Sequence, residues 1–417
     1  MTKKYKKHVI IGNSAAALSA IKSIRKTGDT GQIILICAES CNAYSPVLTT
    51  YYISGSMKKS NMFLVDDRFY KRLEVNRMLG HKAVAIDSQK KEVRLENRTK
   101  VSYDNLLIAT GASARTLNCV DRDALNFVST LRTIEDADKI KQAGETAGEI
   151  VFLGAGLVSL QTIKALLGRG IKMTVVVGSN QVLSQQMDAD SAYILQEKLE
   201  EAGVTILFGR GVEKVVKDKR RACVYTSLGE RLLADMVIVG KGVTPNVEMT
   251  RNTQIKVNNG ILVDKRMQTS LENVFAAGDV AEGENDITGG MEVIATWFNA
   301  CAQGEIAGIN MAGGTAFRQG QFRENVTTIL GLEITSLGLS QPEEGKHEVV
   351  HSMDKKNQVY RKFIMEGTRI VGALLLGKSR DAGVIRHCIA NRTDITPWRE
   401  QIARTPLNFG SLLQTGR

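Results

Sequence analysis

The residues of this 417-residue chain with the clearest chemical potential are small ones at a turn. Gly12, Asn13, Ser14 and Ala15 follow the apolar run His8-Val9-Ile10-Ile11, and Glu39 follows a second apolar run, Ile33-Ile34-Leu35-Ile36. Gly12 permits a sharp turn, while Ser14 and Ala17 are small enough for a diphosphate to approach the backbone. The helix expected from Ala15 to Lys26 would present unsatisfied N–H groups and partial positive charge to those phosphates. Glu39 can accept both hydroxyls of an adenosine ribose. Taken alone, Gly-x-Ser-x-x-Ala also fits an ordinary turn.

A second set of the same kind begins about 140 residues later. Ile150-Val151-Phe152-Leu153 leads into Gly154, Gly156, Leu157, Val158 and Ser159, then a helix over Leu160–Leu167 carrying Gln161. Gly168-Arg169-Gly170 ends that helix, and Met173–Val177 reads as the next strand. Two such units form an internal repeat at domain scale, which chance explains poorly. Where the first unit has Glu39, the second reads Val177-Gly178-Ser179-Asn180. It has neither the acid that favours NAD nor an adjacent arginine that favours NADP. Three further small-residue turns close apolar runs: Ala109-Thr110-Gly111, Gly240-Lys241-Gly242, and Gly278 followed by Asp279.

Other chemistries find little support. Cys37, Cys41, Cys119, Cys223, Cys301 and Cys388 are scattered without a Cys-x-x-Cys, as expected of reduced thiols in the cytosol. His347 and His351 have helical spacing, but Val349 and Val350 between them favour a strand, which argues against a metal site. The net charge of +11 suits an acidic partner or cofactor. With 5% aromatic residues and no aromatic–basic interleaving, nucleic acid is disfavoured. No apolar run reaches the roughly 20 residues of a membrane span, and the basic start Met1–Lys7 runs into a strand rather than a signal peptide. A cytoplasmic location is expected.

The elements that must position these residues follow from pattern. Ala83–Asp87 and Glu92–Leu95 read as a strand and its hairpin return, and Tyr103–Gly111 as a buried strand entering a turn. A short helix follows the loop that starts at Cys41, and a long one is expected over Met291–Gly314. The last hundred residues read as α+β, with strands near 346–353, 358–365 and 369–376 and a helix from Ala382.

Gly12-x-Ser14 with Glu39, Ala109-Thr110-Gly111, Gly154-x-Gly156-x-x-Ser159 and Val274-Phe275-Ala276-Ala277-Gly278-Asp279 occur in one order. In that order the chain resembles the two-dinucleotide-domain flavoproteins of the pyridine nucleotide-disulfide reductase type. The resemblance covers about residues 8–315 and is nearest the branch of rubredoxin reductases, ferredoxin reductases and the nitrite reductase flavoprotein. It implies an α/β fold of two Rossmann-like domains with a small C-terminal α+β domain. Residues 1–115 and 246–320 would bind FAD, 116–245 NAD(H) or NADP(H), and 321–417 would form the interface domain. For FAD it implies Gly12, Asn13, Ser14 and Ala15 at the diphosphate, Glu39 at the ribose and the backbone near Val84 at the adenine. Ser45, Pro46, Ala109, Thr110, Gly111, Arg132, Gly278, Asp279 and Trp297 would complete that site. For the nicotinamide nucleotide it implies Gly154, Gly156, Leu157, Val158, Gln161, Gly240 and Gly242.

Departures from the pattern narrow the chemistry. Val47 stands where the thiol-dependent branches carry cysteine, so a sulfur relay is not expected. The Arg-Pro-Pro-Leu-Ser-Lys-like run of ferredoxin reductases is Pro46-Val47-Leu48-Thr49-Thr50-Tyr51 here, and Gln161 replaces a glutamate. The activity implied is electron transfer between NAD(P)H and an acidic ferredoxin- or rubredoxin-like carrier, or an iron–sulfur subunit, by way of the flavin. No side chain is required as acid or base, since the cofactors supply the chemistry. Two alternatives remain: an FAD-holding relay subunit with weak or no nicotinamide binding, and an NADH oxidase, peroxidase or coenzyme A-disulfide reductase. A homodimer or a place in a hetero-oligomer fits either.

Overall fold

The computed structural model describes residues 6–399, 402–404 and 406; the first five residues of the basic N-terminal run lie outside these. The chain divides into two compact units. One comprises the described residues up to Pro46 with Lys58–Ser113 and Val243–Gln321. The other comprises Val47–Met57, Ala114–Gly242 and the described residues from Phe322 onward.

Each unit contains a five-stranded parallel sheet, as strands buried on both faces and rich in Ile, Val and Leu require. In the first the order is Val75–Leu79, Gln32–Cys37, Lys7–Ile11, Asn105–Ile108, Val274–Ala276. In the second it is Thr205–Leu207, Lys172–Val176, Glu149–Leu153, Met236–Val239, Val128–Ser129. Both have the strand that enters the glycine turn at the centre, the next strand of the motif on one side and a later crossover strand on the other. The repeat is therefore one of topology as well as of motif.

The first unit buries the helix Ala15–Lys26 against its sheet through Ala16, Ala17, Ala20, Ile21 and Ile24. The helix Trp297–Met311 packs on it at backbone distance. A Cβ on Gly304 would collide with the Ala16 carbonyl, and one on Gly308 with the Ala20 carbonyl. This helix starts at Trp297, six residues later than expected. Met291–Glu292 instead form a strand against Gly283–Glu284, and Thr296 caps the helix by accepting from the Asn299 N–H (3.4 Å). A three-stranded antiparallel sheet, Ala83–Asp87, Glu92–Leu95 and Lys100–Ser102, completes the unit with further short strands.

In the second unit the helix over the glycine turn spans Leu157–Leu166, starting three residues before the expected Leu160. The segment Val47–Met57, expected in the first domain, belongs here. Its helix Thr49–Ser54 packs on Ile134–Thr146 and Leu157–Leu166, and Tyr52 Oη donates to Asp138 Oδ1 (2.8 Å). The residues beyond Phe322 form a five-stranded antiparallel sheet, order Glu324–Ile329, Leu332–Gly338, Arg369–Leu376, Val359–Glu366, Glu348–Asp354, with the helix Ala382–Ala390 on it. Arg361 and Asp381 form a bidentate ion pair inside (3.0 and 2.6 Å), and Asp188 accepts from Tyr360 Oη (2.8 Å) and Lys362 Nζ (2.9 Å). Among the described residues no helix is long and apolar enough to cross a membrane.

Candidate functional site

The first turn is built by two backbone bonds. Gly12 N–H donates to the Ile36 carbonyl (2.8 Å) and Ala109 N–H to the Ile11 carbonyl (2.8 Å), which seats the turn between neighbouring strands. Gly12 has φ +119°, and a Cβ there would overlap the Ala109 carbonyl oxygen, so only glycine fits. Ser14 is the N-cap of the helix that follows but its side chain makes no capping bond, leaving the first-turn N–H groups of Ala15 and its neighbours without a side-chain acceptor.

Around this turn the structure gathers most of the residues singled out. Asn13 is held from both sides: its Nδ2 donates to the Cys41 carbonyl (3.4 Å) and its Oδ1 accepts from Tyr70 Oη (2.8 Å). Tyr70 Oη also accepts from Ala43 N–H (3.2 Å), fixing the loop that leads to buried Ser45 and to Pro46. Glu39 accepts from Tyr44 Oη (2.8 Å), and Gly80 N–H bonds the Glu39 carbonyl (3.1 Å) just before the strand carrying half-exposed Val84. Thr110 and Gly111 are locked to Asn246: Thr110 Oγ1 donates to its carbonyl, and its N–H donates to Gly111 O (both 2.9 Å). A Cβ on Gly278 would lie 3.4 Å from Ala16 Cβ, so the Gly278-Asp279 turn meets the first turn of the opening helix. Trp297, half-buried, packs against the same core. Arg132 lies in the other unit, its N–H donating to Asp136 Oδ2 (2.9 Å) in a capping box.

One buried group here has no partner. Gln303 Oε1 accepts from Gly278 N–H (2.7 Å), yet its Nε2 is fully buried with no acceptor among the described residues. An unpaired buried donor costs free energy comparable with a lost hydrogen bond. A donor beside Gly278 and Ala16, next to an uncapped helix N-terminus, fits an acceptor-rich ligand such as the diphosphate-containing part of FAD. Gln303, Tyr44 and Tyr70 were not singled out from sequence. The signal was present for the first: Gly304-x3-Gly308 opposite Ala16-x3-Ala20 announces a close helix pair, which places Gln303 at the turn.

The second turn repeats the frame bond for bond. Gly154 N–H donates to the Val176 carbonyl (2.8 Å) and Gly240 N–H to the Leu153 carbonyl (3.0 Å). Gly154 has φ +110°, and a Cβ there would lie 2.5 Å from the Gly240 oxygen. Gly156 is the N-cap and has no side chain to cap with, so the N–H groups at Leu157 and Val158 lack a side-chain acceptor. Ser159, fully buried, leaves its Oγ without a hydrogen-bond partner among the described residues, against the Gly240 backbone. These donors fit a second dinucleotide. Gly242 has φ +85°, as Gly111 has φ +65° at the matching place.

Two details differ from expectation. Gln161 does not face open space: its Nε2 donates to Thr327 Oγ1 (2.5 Å) and the Thr328 carbonyl (3.3 Å), and Lys164 joins it there (2.9 Å). An arginine does come near the strand end, because Arg210 N–H donates to the Val177 carbonyl (3.0 Å). Its guanidinium is engaged by Glu230 (2.9 Å) and the Phe208 carbonyl (2.5 Å). Sequence distance concealed both.

The thiols stay out of this chemistry. None of the six cysteines forms a disulfide among the described residues, and burial pushes the Cys37 thiol up to about 11, away from reactive thiolate. Val47, at the position a sulfur relay would need, is exposed. His351 sits in the strand Glu348–Asp354, as its valine neighbours imply, and His347 Nδ1 accepts from Glu343 N–H.

Comparison with known proteins agrees with this architecture. Residues 6–304 match the family described as pyridine nucleotide-disulphide oxidoreductase, and residues 325–393 match the rubredoxin NAD+ reductase C-terminal domain. The NADH-dependent phenylglyoxylate dehydrogenase subunit epsilon of Aromatoleum evansii is 32% identical over 98% of this chain and 97% of its own. Rhodocoxin reductase of Rhodococcus erythropolis is 29% identical over 96% and 93%. A chain of the covalent putidaredoxin reductase–putidaredoxin complex superposes with a TM-score of 0.90 over 98% of both chains at 22% identity, a likeness of fold. The chain thus belongs to the pyridine nucleotide-disulphide oxidoreductase family, in its rubredoxin- and ferredoxin-reductase branch, as an oxidoreductase that works with FAD and a nicotinamide nucleotide.

Proposed function

We propose that this protein exchanges electrons between NAD(P)H and an iron–sulfur carrier or partner subunit, with FAD in the first unit and the nicotinamide nucleotide in the second. The observation that carries the reading is the pair of glycine turns, each feeding a helix N-terminus that no side chain caps. When bound, FAD supplies the step from a two-electron donor to one-electron acceptors. The chain's own residues bind and orient. Gly12, Asn13, Ser14 and Ala15 admit the diphosphate, Glu39 takes the ribose, and Gln303 donates beside Gly278 and Asp279. Ser45, Pro46, Ala109, Thr110 and Gly111 shape the rest of the pocket, with Trp297 opening the helix expected at the flavin, whose N-terminus favours negative charge. Gly154, Gly156, Leu157 and Val158 with Gly240 and Gly242 do the same for the second nucleotide.

The net charge of +11 supports an acidic partner, whose encounter would slow with salt. That a relative is a dehydrogenase subunit supports a place within a larger complex. Six cysteines without a disulfide among the described residues support a reducing, cytoplasmic setting. One observation favours the second reading, a relay subunit without nicotinamide: Gln161 is already committed to Thr327 and Thr328.

Anaerobic addition of NADH or NADPH to the purified flavoprotein tests the reading. Bleaching of the flavin, followed by reoxidation with a ferredoxin or rubredoxin at a rate that falls with ionic strength, is expected. A bound flavin that neither nucleotide bleaches leaves the relay reading.

A further inference from the structure

The matching bonds of the two turns set Lys241 in register with Thr110, and the two residues do different things. Thr110 is neutral, and its hydroxyl is spent on the Asn246 carbonyl (2.9 Å). Lys241 has no carboxylate partner among the described residues, and its stem crosses the second turn: Cδ lies 3.7 Å from where a Cβ on Gly154 would stand. The side chain is partly buried there, in the turn that leads to the helix starting at Leu157, and one residue before it the Gly240 backbone faces the Ser159 Oγ, which has no hydrogen-bond partner among the described residues. A cation in a turn that leads into a helix N-terminus adds to its positive potential, and an anion bound there is attracted by both. The same unit has no acid at Ser179, so its charge pattern is the reverse of the first, where Glu39 supplies a carboxylate and Thr110 no cation.

We propose that Lys241 is the phosphate-binding cation of the second site, gripping the diphosphate bridge of the dinucleotide and supplying binding that the missing ribose acid does not. This rests on the reading of the second unit as the nicotinamide site. An ammonium-to-phosphate contact acts through charge, so it strengthens every diphosphate-bearing ligand alike, contributes nothing to one without phosphate, and weakens with salt.

The test uses the holoprotein with Lys241→Met, which keeps the apolar stem, and Lys241→Arg, which keeps the charge. Calorimetric titration with ADP-ribose, a ligand that carries the diphosphate and no nicotinamide, is expected to show Lys241→Met binding about 10-fold more weakly. The KM for NADH should rise by a similar factor with kcat within about twofold, while flavin reduction by dihydronicotinamide riboside, a hydride donor without phosphate, stays unchanged. Lys241→Arg should recover most of the affinity. Unchanged ADP-ribose affinity in Lys241→Met, or equal losses with both hydride donors, would overturn the assignment. Wild-type protein that binds no ADP-ribose would instead overturn the nicotinamide reading of the unit, and the role of Lys241 with it.

Discussion

The two glycine turns share a backbone and differ in charge. Gly12 and Gly154 donate to the same place on the second strand of their sheets, and Ala109 and Gly240 to the same place on the first. What hangs on that frame has diverged. The first turn has a carboxylate at Glu39, an Asn13 clamped by Tyr70, and a buried donor at Gln303. The second has Ser179, no side-chain clamp like that of Tyr70 on Asn13 among the described residues, and Lys241, which has no carboxylate partner among them. A ligand held permanently is served by many fixed contacts. A ligand that must leave every turnover is better served by a few contacts and one mobile charge. The difference in furniture therefore matches the difference between a resident cofactor and an exchanging cosubstrate.

The glycines offer the largest break in that comparison. Gly12→Ala places a methyl on the Ala109 carbonyl at φ +119°, a conformation closed to other residues. A loss of about 3 kcal/mol or more is expected, read as protein that purifies without flavin and melts early. Gly154→Ala meets a similar obstacle 2.5 Å from Gly240 O, so it too should destabilise. The two should part in what remains: Gly154→Ala keeps its flavin absorbance but no longer bleaches with NADH. If Gly154→Ala lost flavin and Gly12→Ala kept it, the assignment of the two units would be reversed.

How much of this could be read beforehand depends on whether the information was local. The helix Ala15–Lys26, the strands Ala83–Asp87 and Glu92–Leu95 and both turns rest on residues adjacent in sequence, and pattern alone located them. The helix at Trp297 was placed too early because apolar Met291, Val293 and Ile294 continue its pattern, while the cap at Thr296 marks its true start. The placement of Val47–Met57, the diversion of Gln161 to Thr327 and the approach of Arg210 to Val177 depend on contacts between distant segments. No periodicity encodes those. Gln303 falls between: its helix was recognised, but its orphaned amide appears only once Gly278 is placed against it.

A smaller effect sharpens the comparison from the stability side. Leu183 N–H donates to the Ala155 carbonyl in the second turn (3.1 Å), and five residues on Asp188 joins Ser191, Tyr360 and Lys362. Burial would push the Asp188 carboxyl up, but the bonds from Ser191, Lys362 and Tyr360 outweigh it and hold the pKa at about 2. A carboxyl lowered on folding stabilises the native state above its unfolded pKa, and that contribution disappears as pH falls through the folded value. The shift corresponds to about 2 kcal/mol, present at neutral pH and lost between about pH 4 and 2. Asp188→Asn should therefore melt below wild type at pH 7, with the gap closing toward pH 2, and should disturb NADH binding more than flavin retention. Equal gaps at pH 7 and pH 2.5 would show that the carboxylate charge contributes nothing.

The smallest expected effect concerns the ribose ends, where register makes Ser179 the counterpart of Glu39: each lies three residues past the strand carbonyl that receives the glycine N–H. Ser179 donates to the Gln181 carbonyl (2.8 Å) and presents no charge to a ribose or a 2′-phosphate, while the Arg210 guanidinium is held by Glu230. Wild type should accordingly discriminate poorly between NADH and NADPH. Ser179→Glu would install the missing acceptor, and repulsion from the 2′-phosphate should move the ratio of kcat/KM values toward NADH by about 10-fold. Glu39→Gln is the reciprocal change. It keeps the shape and removes the charge, and should weaken FAD by a similar factor, measured by flavin release on dilution. If Ser179→Glu left the NADH to NADPH ratio unchanged, the backbone equivalence of the two turns would not extend to where their ligands lie.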